Sequence, residues 1–259
     1  ELYYISKLGL DNLKLVFVGD PNQLSAVGYG KFFEQAISYF PTAKLTKVFR
    51  AESEEITNAA NAVLAGCKPA PNKHVEIIKP TVDDIANYAL INEAMVLCPT
   101  NATASKINRR IQRLRVKSSF SIFTVLGHQI YSNDRLLFTK NNPKVGILNG
   151  HFGIFLKHDT EGIHLKMERI GSITLSYDDF VNSGAQLGYA VTGHKSQGAG
   201  FDIVVVVCEN SSVCTKRWLY TAFTRARKKI AFAELGDFQL ALNKPDMPRM
   251  TQRLVPLVE

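Results

Sequence analysis

The sequence is poor in the residues that build a disulfide framework or a zinc site. It contains four cysteines in 259 residues, and no two of them form a CxxC pair. Scattered cysteines of this kind are typical of reduced core thiols in a cytoplasmic protein, which is the location we expect. No apolar run approaches the roughly 20 residues that a membrane-spanning helix needs, so no membrane segment is predicted.

A second absence concerns nucleotide chemistry. The chain has no GxxxxGK[ST] phosphate loop and no Asp-Glu pair at the end of an apolar run. Transfer of a phosphoryl group to water needs a phosphate cradle, a lysine, a metal site and a positioned water. We therefore expect the chain by itself to be inactive as an ATPase, and we assign no metal ligand within it.

Positively charged residues outnumber negatively charged ones in this sequence. Lysine and arginine number 31 against 23 aspartates and glutamates, which gives a net charge of +8. An excess of this size favours a polyanionic partner, such as nucleic acid or a nucleotide phosphate. Charge alone is weak support, because many cytoplasmic proteins are basic.

Strand and helix patterns alternate along most of the chain. Short apolar runs predict buried strands at residues 15–18, 94–98, 187–191, 203–208 and 229–233. Helical spacing of apolar residues lies between them, at residues 31–40, 53–65, 101–117 and 216–226. This alternation predicts an α/β fold with a parallel sheet. Residues 129–184 differ, because β-prone runs broken by Asn-Gly and Glu-Gly turns predict a small β-rich insertion.

Polar side chains follow the first apolar run, in the segment GDPNQL. Gly19, Asp20 and Gln23 would lie just past a strand end, where parallel sheets place their chemistry. An amide such as that of Gln23 can sense a terminal phosphate through a hydrogen bond. An ordinary turn explains the same residues, because Gly, Asp, Pro and Asn all favour turns.

The segment TGHKSQG follows another predicted strand and concentrates hydrogen-bond donors in one loop. Thr192, His194, Lys195, Ser196 and Gln197 supply two hydroxyls, an imidazole, an ammonium and an amide. The glycines at positions 193 and 198 allow a phosphate or sugar to approach the backbone closely. A purely structural loop rarely needs such a set, so a functional role is favoured here.

The segment TAFTRARKK predicts two arginines, Arg225 and Arg227, on the last turn of a helix. A solvated basic cap is the common explanation, because the C-terminus of a helix favours cations. The competing hypothesis is an arginine finger that stabilises charge on a transferring phosphoryl group. Arg50 ends the segment LTKVFR, directly after a predicted strand.

Helix 101–117 is basic and amphipathic, and its cations are Arg109, Arg110, Arg113, Arg115 and Lys117. A solvated face is the usual explanation for such a run. A face that follows a phosphate backbone is the less common one.

Together these segments resemble the superfamily-1 helicases, most closely the RecD-like branch that includes the exodeoxyribonuclease V alpha subunit. GDPNQL is similar to motif III of that family, LTKVFR to motif IV, TGHKSQGAGF to motif V and YTAFTRARKK to motif VI. PTNATASKINRRIQ resembles the strand-helix segment between motifs IV and V. DRLLFTKNNPKVGILNGHFGIF resembles the family's small β-barrel insertion. The resemblance extends over about residues 13–232.

The resemblance implies a RecA-like parallel-sheet domain with a small barrel-like insertion, preceded by the tail of a first RecA-like domain. The tail would occupy residues 1–45. The second RecA-like domain would occupy residues 46–128 and 185–259, and the insertion residues 129–184. The phosphate loop and the Asp-Glu box are then expected upstream of Glu1.

The resemblance also implies roles for the residues of each motif. Gln23, Arg50 and Arg225 would act in catalysis, because Gln23 couples nucleotide state to the grip on DNA and the two arginines contact the γ-phosphate. Gly19, Asp20, Gln197, Gly198 and Arg227 would lie near the nucleotide. Thr192, His194, Lys195 and Ser196 would contact the single strand. ATP and Mg²⁺ would be bound mainly by the upstream domain.

The function that follows is an ATP-dependent DNA helicase or translocase that acts on single-stranded DNA, with 5′-to-3′ movement implied by the resemblance. A nuclease or a replication or recombination protein is a compatible partner, and DNA repair or recombination a compatible setting. Two alternatives stay open at this point. One is a viral-type superfamily-1 RNA helicase, and the other is a non-catalytic nucleic-acid-binding module.

Overall fold

A computed structural model describes residues 14–24, 32–45, 51–116 and 122–245. The chain divides into two compact units. One holds Glu1–Leu45 with Pro248–Glu259, and the other holds Thr46–Met247. Each unit is described by itself. Within the described ranges, no helix is long and apolar enough to cross a membrane.

In the first unit, the predicted strand at residues 15–18 is wrong. Residues 14–20 have no regular secondary structure, and the four apolar side chains of the run are 41% to 87% exposed. A strand is held by hydrogen bonds to a neighbouring strand, and the described part of this unit offers none. The predicted helix at residues 31–40 is present as α1 (Phe32–Tyr39).

The second unit alternates strands and helices. Its strands, in chain order, are β1 (Val75–Ile78), β2 (Met95–Cys98), β3 (Ile122–Val125), β4 (His128–Tyr131), β5 (Arg135–Phe138), β6 (Phe152–Asp159), β7 (Gly162–Met167), β8 (Gly171–Leu175), β9 (Ala185–Leu187), β10 (Ala190–Thr192), β11 (Phe201–Cys208) and β12 (Ala226–Glu234). Its helices are α2 (Glu54–Leu64), α3 (Val82–Ile91), α4 (Asn101–Arg115), α5 (Tyr177–Asn182), α6 (Lys216–Phe223) and α7 (Phe238–Asn243), with a short 3₁₀ turn at Pro143–Val145.

A five-stranded parallel sheet forms the centre of this unit, with strand order β1-β12-β11-β2-β10. Strand β2 and residues Val204–Cys208 of β11, at the centre of the sheet, are buried on both faces, as their continuous apolar runs predict. The α/β fold with a parallel sheet that the sequence predicts is therefore confirmed. The carboxyl ends of β2 and β10 lie side by side, because Thr192 pairs with Cys98. The two loops that follow these strands therefore start at the same edge of the sheet.

Local signals in the sequence explain where the helices begin. Thr100 caps α4, because its hydroxyl accepts a hydrogen bond of 3.2 Å from the backbone N–H of Thr103. Ser53 precedes α2, and Gly66 follows it with φ +78°, a conformation that favours glycine. The apolar faces of α3 and α4 pack on the sheet around Val96 and Val205.

Two antiparallel sheets lie between β2 and β10 in the chain. One is the hairpin β3–β4, and the other has the strand order β8-β7-β6-β5-β9. Their strands extend from Ile122 to Leu187, so they begin before residue 129 and end after residue 184. They enclose a separate apolar core that includes Phe123, Phe155 and Phe180.

Candidate functional site: a cationic groove beside the TGHKSQG loop

A groove of about 1320 Å³ runs between helix α4, the β3–β4 hairpin and the edge of the larger antiparallel sheet. The loop after β10 closes one end of it, through Thr192 and Lys195. The groove therefore brings two predicted nucleic-acid contacts together with helix α4.

The side chains that line the groove carry charge of one sign. Arg109, Arg113, Lys140 and Lys195 line it, and no aspartate or glutamate is among its described lining residues. None of these four cations forms an ion pair with any described residue. Burial lowers the pKa of the Lys195 ammonium, and a phosphate placed beside it would raise that pKa again. The groove is chemically suited to a polyanion.

The other cations of helix α4 are used within the protein. Arg110 donates to both carboxylate oxygens of Asp83, over 2.7 Å and 3.1 Å. Arg115 pairs with the buried carboxylate of Asp134 at 3.0 Å. Lys117 lies outside the described residues. The basic helix thus divides into a structural face and a face that lines the groove.

The structure explains the shape of the TGHKSQG loop. The backbone N–H of Ser196 bonds to the Thr192 carbonyl over 3.1 Å, and the Ser196 hydroxyl donates to the Gly193 carbonyl over 2.8 Å. At Gly193, an added Cβ would lie 2.6 Å from Nε1 of Trp218, a fully buried ring. Position 193 therefore accepts no side chain, and Ser196 is turned into the loop.

The end of this loop enters a second pocket of about 630 Å³. Gly198, with φ +82°, and Arg227 line this pocket. It contains acidic residues as well as basic ones, since Asp202 pairs with Lys228 at 2.6 Å and with Arg227 at 3.7 Å. Within the described residues, His194 and Gln197 line neither recess, while Lys195 and Gly198 reach one each.

The placement of Arg225 and Arg227 on the last turn of a helix is wrong. Helix α6 ends at Phe223, Arg225 follows it in a turn, and Arg227 lies in strand β12. Arg225 is 2% exposed, and its guanidinium donates to the carbonyl oxygens of Thr221 and Ala199. This arginine therefore binds the helix end to the segment before β11.

The GDPNQL residues form a turn in the first unit. One carboxylate oxygen of Asp20 accepts from the Asn22 backbone N–H at 2.9 Å, and the other accepts from Gln23 Nε2 at 3.0 Å. An added Cβ at Gly19 would lie 3.1 Å from the ring of Phe33, so the turn packs closely on α1. Arg50 lies outside the described residues.

One polar residue of this region is missing from the residues that the sequence predicts to be functional. Asn108 is buried on helix α4 and donates to the Ala190 carbonyl at 2.7 Å, while its own oxygen accepts from the backbone N–H groups of Tyr189 and Ala190. It therefore holds strand β10, and with it the start of the loop. An asparagine on the apolar stripe of a helix is the signal that could have revealed it.

A three-residue group could offer ligands to a metal. Ligand atoms of Asp159, Glu161 and His164 lie within 4.8 Å of one another. Hydrogen bonds from Lys157 and His164 hold the pKa of the Asp159 carboxyl well below its usual range. Because an ammonium already occupies this carboxylate, we assign no metal to the group.

The β3–β4 hairpin carries a strained residue at its tip. The two-residue loop has φ +47° at Leu126 and +77° at Gly127, which is the pattern of a type I′ turn. Leucine is disfavoured at a positive φ, and this side chain is also 71% exposed. The tip borders the groove beside His128.

Leu126→Asn is expected to stabilise the protein by about 0.5 to 1 kcal/mol, because asparagine tolerates the left-handed region and Asn-Gly is a preferred type I′ sequence. The measurement is the free energy of unfolding in urea. Leu126→Ala is the matched control, since it removes the exposed side chain but keeps an unsuited residue. Equal stabilities of the two variants would contradict a strained turn.

Comparison with known proteins matches two family descriptions to separate parts of the chain. Residues 187–232, which include the TGHKSQG loop and helix α6, match the UvrD-like helicase C-terminal domain. Residues 4–79 match a domain described as an AAA domain.

Curated relatives extend the match over nearly the whole chain. The chain is 28% identical over 258 residues to the "ATP-dependent RecD2 DNA helicase" of Deinococcus radiodurans, which covers 93% of this chain and 35% of that protein. It is 24% identical over 169 residues to the "RecBCD enzyme subunit RecD" of Buchnera aphidicola, covering 64% of this chain and 27% of the relative. The chain thus spans about a third of the length of these relatives.

Solved structures give the same fold. A crystal structure of Bacteroides Pif1 bound to ssDNA superposes with a TM-score of 0.52 at 19% identity, over 75% of this chain and 52% of that one. The chain is similar to helicases of the RecD-like branch of superfamily 1. The residues that match a helicase C-terminal domain, 187–232, lie in the second unit.

The match to the helicase C-terminal domain includes residues of both the groove and the second pocket. The segment that matches the helicase C-terminal domain begins at the end of β9 and ends within β12. It contains Thr192 and Lys195 at the groove, as well as Gly198 and Arg227 at the second pocket. Residues from one continuous matched segment therefore line both the groove and the second pocket.

Proposed function

We propose that the chain is the part of an ATP-dependent DNA helicase that holds single-stranded DNA in the groove between helix α4, the β3–β4 hairpin and the TGHKSQG loop. The observation that carries this proposal is the groove's lining of four unpaired cations without an acidic residue. Cations in this arrangement bind phosphates and position a strand without reading its sequence. The names of the relatives, an ATP-dependent DNA helicase and Pif1 bound to ssDNA, support the same substrate.

We propose the domain division that the resemblance implies. Residues 1–45 are the tail of a first RecA-like domain, and residues 46–128 and 185–259 form the second. Residues 129–184 belong to the β-rich insertion, although the antiparallel strands themselves extend from Ile122 to Leu187. Lys140 of this insertion lines the groove. The groove thus lies between the second RecA-like domain and its insertion.

The nucleotide is proposed to bind at the second pocket. Gly198 and Arg227 line the second pocket, and Gly198 places its backbone at the surface with a positive φ. Gln197, Gly19 and Asp20 are proposed to lie near the nucleotide, and Gln23, Arg50 and Arg225 to act on its terminal phosphate. ATP and Mg²⁺ are the proposed cofactors, and the described residues supply no acidic site that we assign to Mg²⁺.

The proposed setting is intracellular. All four cysteines are free thiols, and three of them are buried. Disulfides are rare in reducing compartments, so free thiols fit this location. A nuclease or a recombination protein remains a proposed partner, supported by the name of the RecBCD subunit.

The groove is tested by removing the two arginines that line it. Arg109→Ala combined with Arg113→Ala is expected to weaken binding of a labelled single-stranded oligonucleotide by about tenfold or more. Each lost phosphate contact also lowers the slope of log affinity against log salt by about 0.7. Fluorescence anisotropy at several salt concentrations measures both quantities, and the loss should be similar for all sequences.

Arg110→Ala is the matched control for this experiment. It removes one positive charge from the same helix, where the double variant removes two, and the side chain that it removes is paired with Asp83 and does not line the groove. Its affinity and salt slope should stay close to those of the unaltered chain. If Arg110→Ala weakens binding as much as the double variant, the groove is not the binding site and net charge explains the affinity.

A further inference from the structure

Two cysteines lie side by side in the interior of the second unit. Sγ of Cys208 and Sγ of Cys214 are 3.9 Å apart, and both residues are fully buried. Cys208 ends strand β11, and Cys214 directly precedes Thr215, which caps helix α6. The chain makes a short reversal between them, over residues 209–213.

The two sulfurs form a hydrogen-bonded pair. Their shared hydrogen bond lowers the pKa of Cys214 and raises that of Cys208. The thiolate is the reactive form of cysteine, so the pair contains one favoured nucleophile and one neighbour able to resolve its oxidation product. Cys98 differs, because burial raises its pKa well above the ordinary value.

The segment that covers the pair is short and partly exposed. Asn210 and Ser212 are exposed, and the other residues of the segment, Glu209, Ser211 and Val213, are half-buried. The backbone N–H of Cys214 bonds to the Ser211 hydroxyl at 3.3 Å, and Lys244 donates to the Ser211 carbonyl at 2.6 Å. Because both sulfurs are fully buried, a reaction with peroxide requires this small turn to open.

We propose that Cys208 and Cys214 are a peroxide-reactive dithiol that closes to a reversible disulfide. The Cys214 thiolate attacks one oxygen of hydrogen peroxide, the O–O bond breaks, and a sulfenic acid and hydroxide form. The sulfur of Cys208 then attacks the sulfenic sulfur, gives up its proton, and the S–S bond forms as water leaves. Two thiols are oxidised and one peroxide is reduced to two waters.

The bond has a defined mechanical consequence. It links the end of β11 to the start of helix α6. This helix ends at Phe223, two residues before Arg225. Arg225 in turn donates to the Ala199 carbonyl at the other end of β11. Oxidation would therefore restrict the segment that holds Arg225.

The experiment uses the whole chain treated with hydrogen peroxide, followed by blocking of free thiols, trypsin digestion and mass spectrometry. The chain has no lysine or arginine between Lys195 and Lys216, so residues 196–216 form one tryptic peptide with both cysteines and neither Cys67 nor Cys98. We expect this peptide to lose the mass of two hydrogens and to escape blocking. Dithiothreitol should restore two blockable thiols.

A second measurement links the bond to the folded protein. The peroxide-treated chain should unfold at a higher temperature than the reduced chain, because a disulfide restricts the unfolded state. Cys67→Ser, at an exposed thiol, should keep this shift, whereas Cys214→Ser should abolish it. A peptide that stays fully reduced while Cys67 is oxidised would overturn the proposal. So would conversion of either sulfur to a sulfinic acid without a bond.

Discussion

Replacement of Arg225 by alanine is expected to lower ATP turnover by roughly a factor of 10³ or more, the scale attached to arginine fingers. The sequence alone predicts that stability would hardly change, because an arginine at a helix end is ordinarily solvated. The structure leads to a different expectation. Arg225 is 2% exposed, and its Nε, Nη1 and Nη2 donate to Thr221, Ala199 and Thr224.

Arg225→Ala removes these hydrogen bonds, although the Thr221 carbonyl keeps a bond from the Thr224 hydroxyl at 2.9 Å. Hydrogen bonds made by a charged group contribute about 1.5 to 3 kcal/mol, so Arg225→Ala should also reduce the free energy of unfolding by about that amount. The finger hypothesis further requires the guanidinium to leave its present partners when a phosphoryl group is transferred. Arg225 would thus change partners between a resting and a catalytic state.

The measurement is ATP turnover at saturating single-stranded DNA, in a protein that carries this chain behind a phosphate-loop domain. Turnover is measured well below the unfolding temperature of the variant, so that loss of folded protein does not lower the rate. Arg225→Lys is the second variant, because lysine keeps the charge but lacks the planar fork of donors. It should be more stable than the alanine variant and nearly as slow.

Arg227→Ala supplies the comparison for stability. Arg227 is half-exposed and pairs with Asp202 at 3.7 Å, and exposed pairs of this kind contribute about 0 to 1 kcal/mol. A folded Arg225→Ala protein with near-normal turnover would remove Arg225 from the catalytic residues. It would then be a structural arginine that joins helix α6 to strand β11.

The sequence predicts the parts of this protein whose cause is local. The buried strand at residues 95–98, the Thr100 cap and helix α4 follow from an apolar run, a capping hydroxyl and helical spacing. The sequence points to Thr192 and Lys195, which line the groove, because a loop with many donors follows a strand of a parallel sheet. Both effects act within a few residues of chain.

Other features depend on distant parts of the chain and have no local signal. Residues 15–18 have the composition of a strand, yet their exposure depends on the neighbours that the described unit provides. Arg110 and Arg113 look alike in the sequence, and only Asp83, 27 residues away from Arg110, separates the paired arginine from the one in the groove. The positive charge of the groove's described lining therefore depends on the fold of the chain and has no local signal in the sequence.

Asp134 joins the antiparallel sheets to the parallel sheet. Its role also depends on distant parts of the chain and has no local signal in the sequence. Its side chain is fully buried. One carboxylate oxygen accepts from Arg115 at 3.0 Å and from the Tyr189 hydroxyl at 2.7 Å. The other accepts from Gln112 at 2.6 Å and from the Tyr131 backbone N–H at 2.8 Å. The carboxylate therefore links helix α4, the end of β4 and the residue before β10.

Asp134→Ala is expected to reduce the free energy of unfolding by about 3 to 5 kcal/mol. Removal of one partner from a buried ion pair leaves the other charge uncompensated, and here the Arg115 side chain, which is 17% exposed, would lose its carboxylate. The hydroxyl of Tyr189 and the amide of Gln112 would lose an acceptor as well. Urea unfolding, followed by circular dichroism, measures the change.

Asp159→Ala is the matched control, because it removes an aspartate that pairs with Lys157 at the edge of the same antiparallel sheet, in a more exposed setting. Its effect on unfolding should be small, since exposed ion pairs contribute little. A second readout is the ionisation of Tyr189, whose pKa is raised first by burial and then by the Asp134 carboxylate. In a folded Asp134→Asn variant the carboxylate charge is gone, so Tyr189 should ionise at lower pH than in the unaltered protein. Equal stabilities of the Asp134→Ala and Asp159→Ala proteins would show that the connection between the sheets does not depend on the Asp134 carboxylate. Packing of helix α4 against β10 would then maintain that connection.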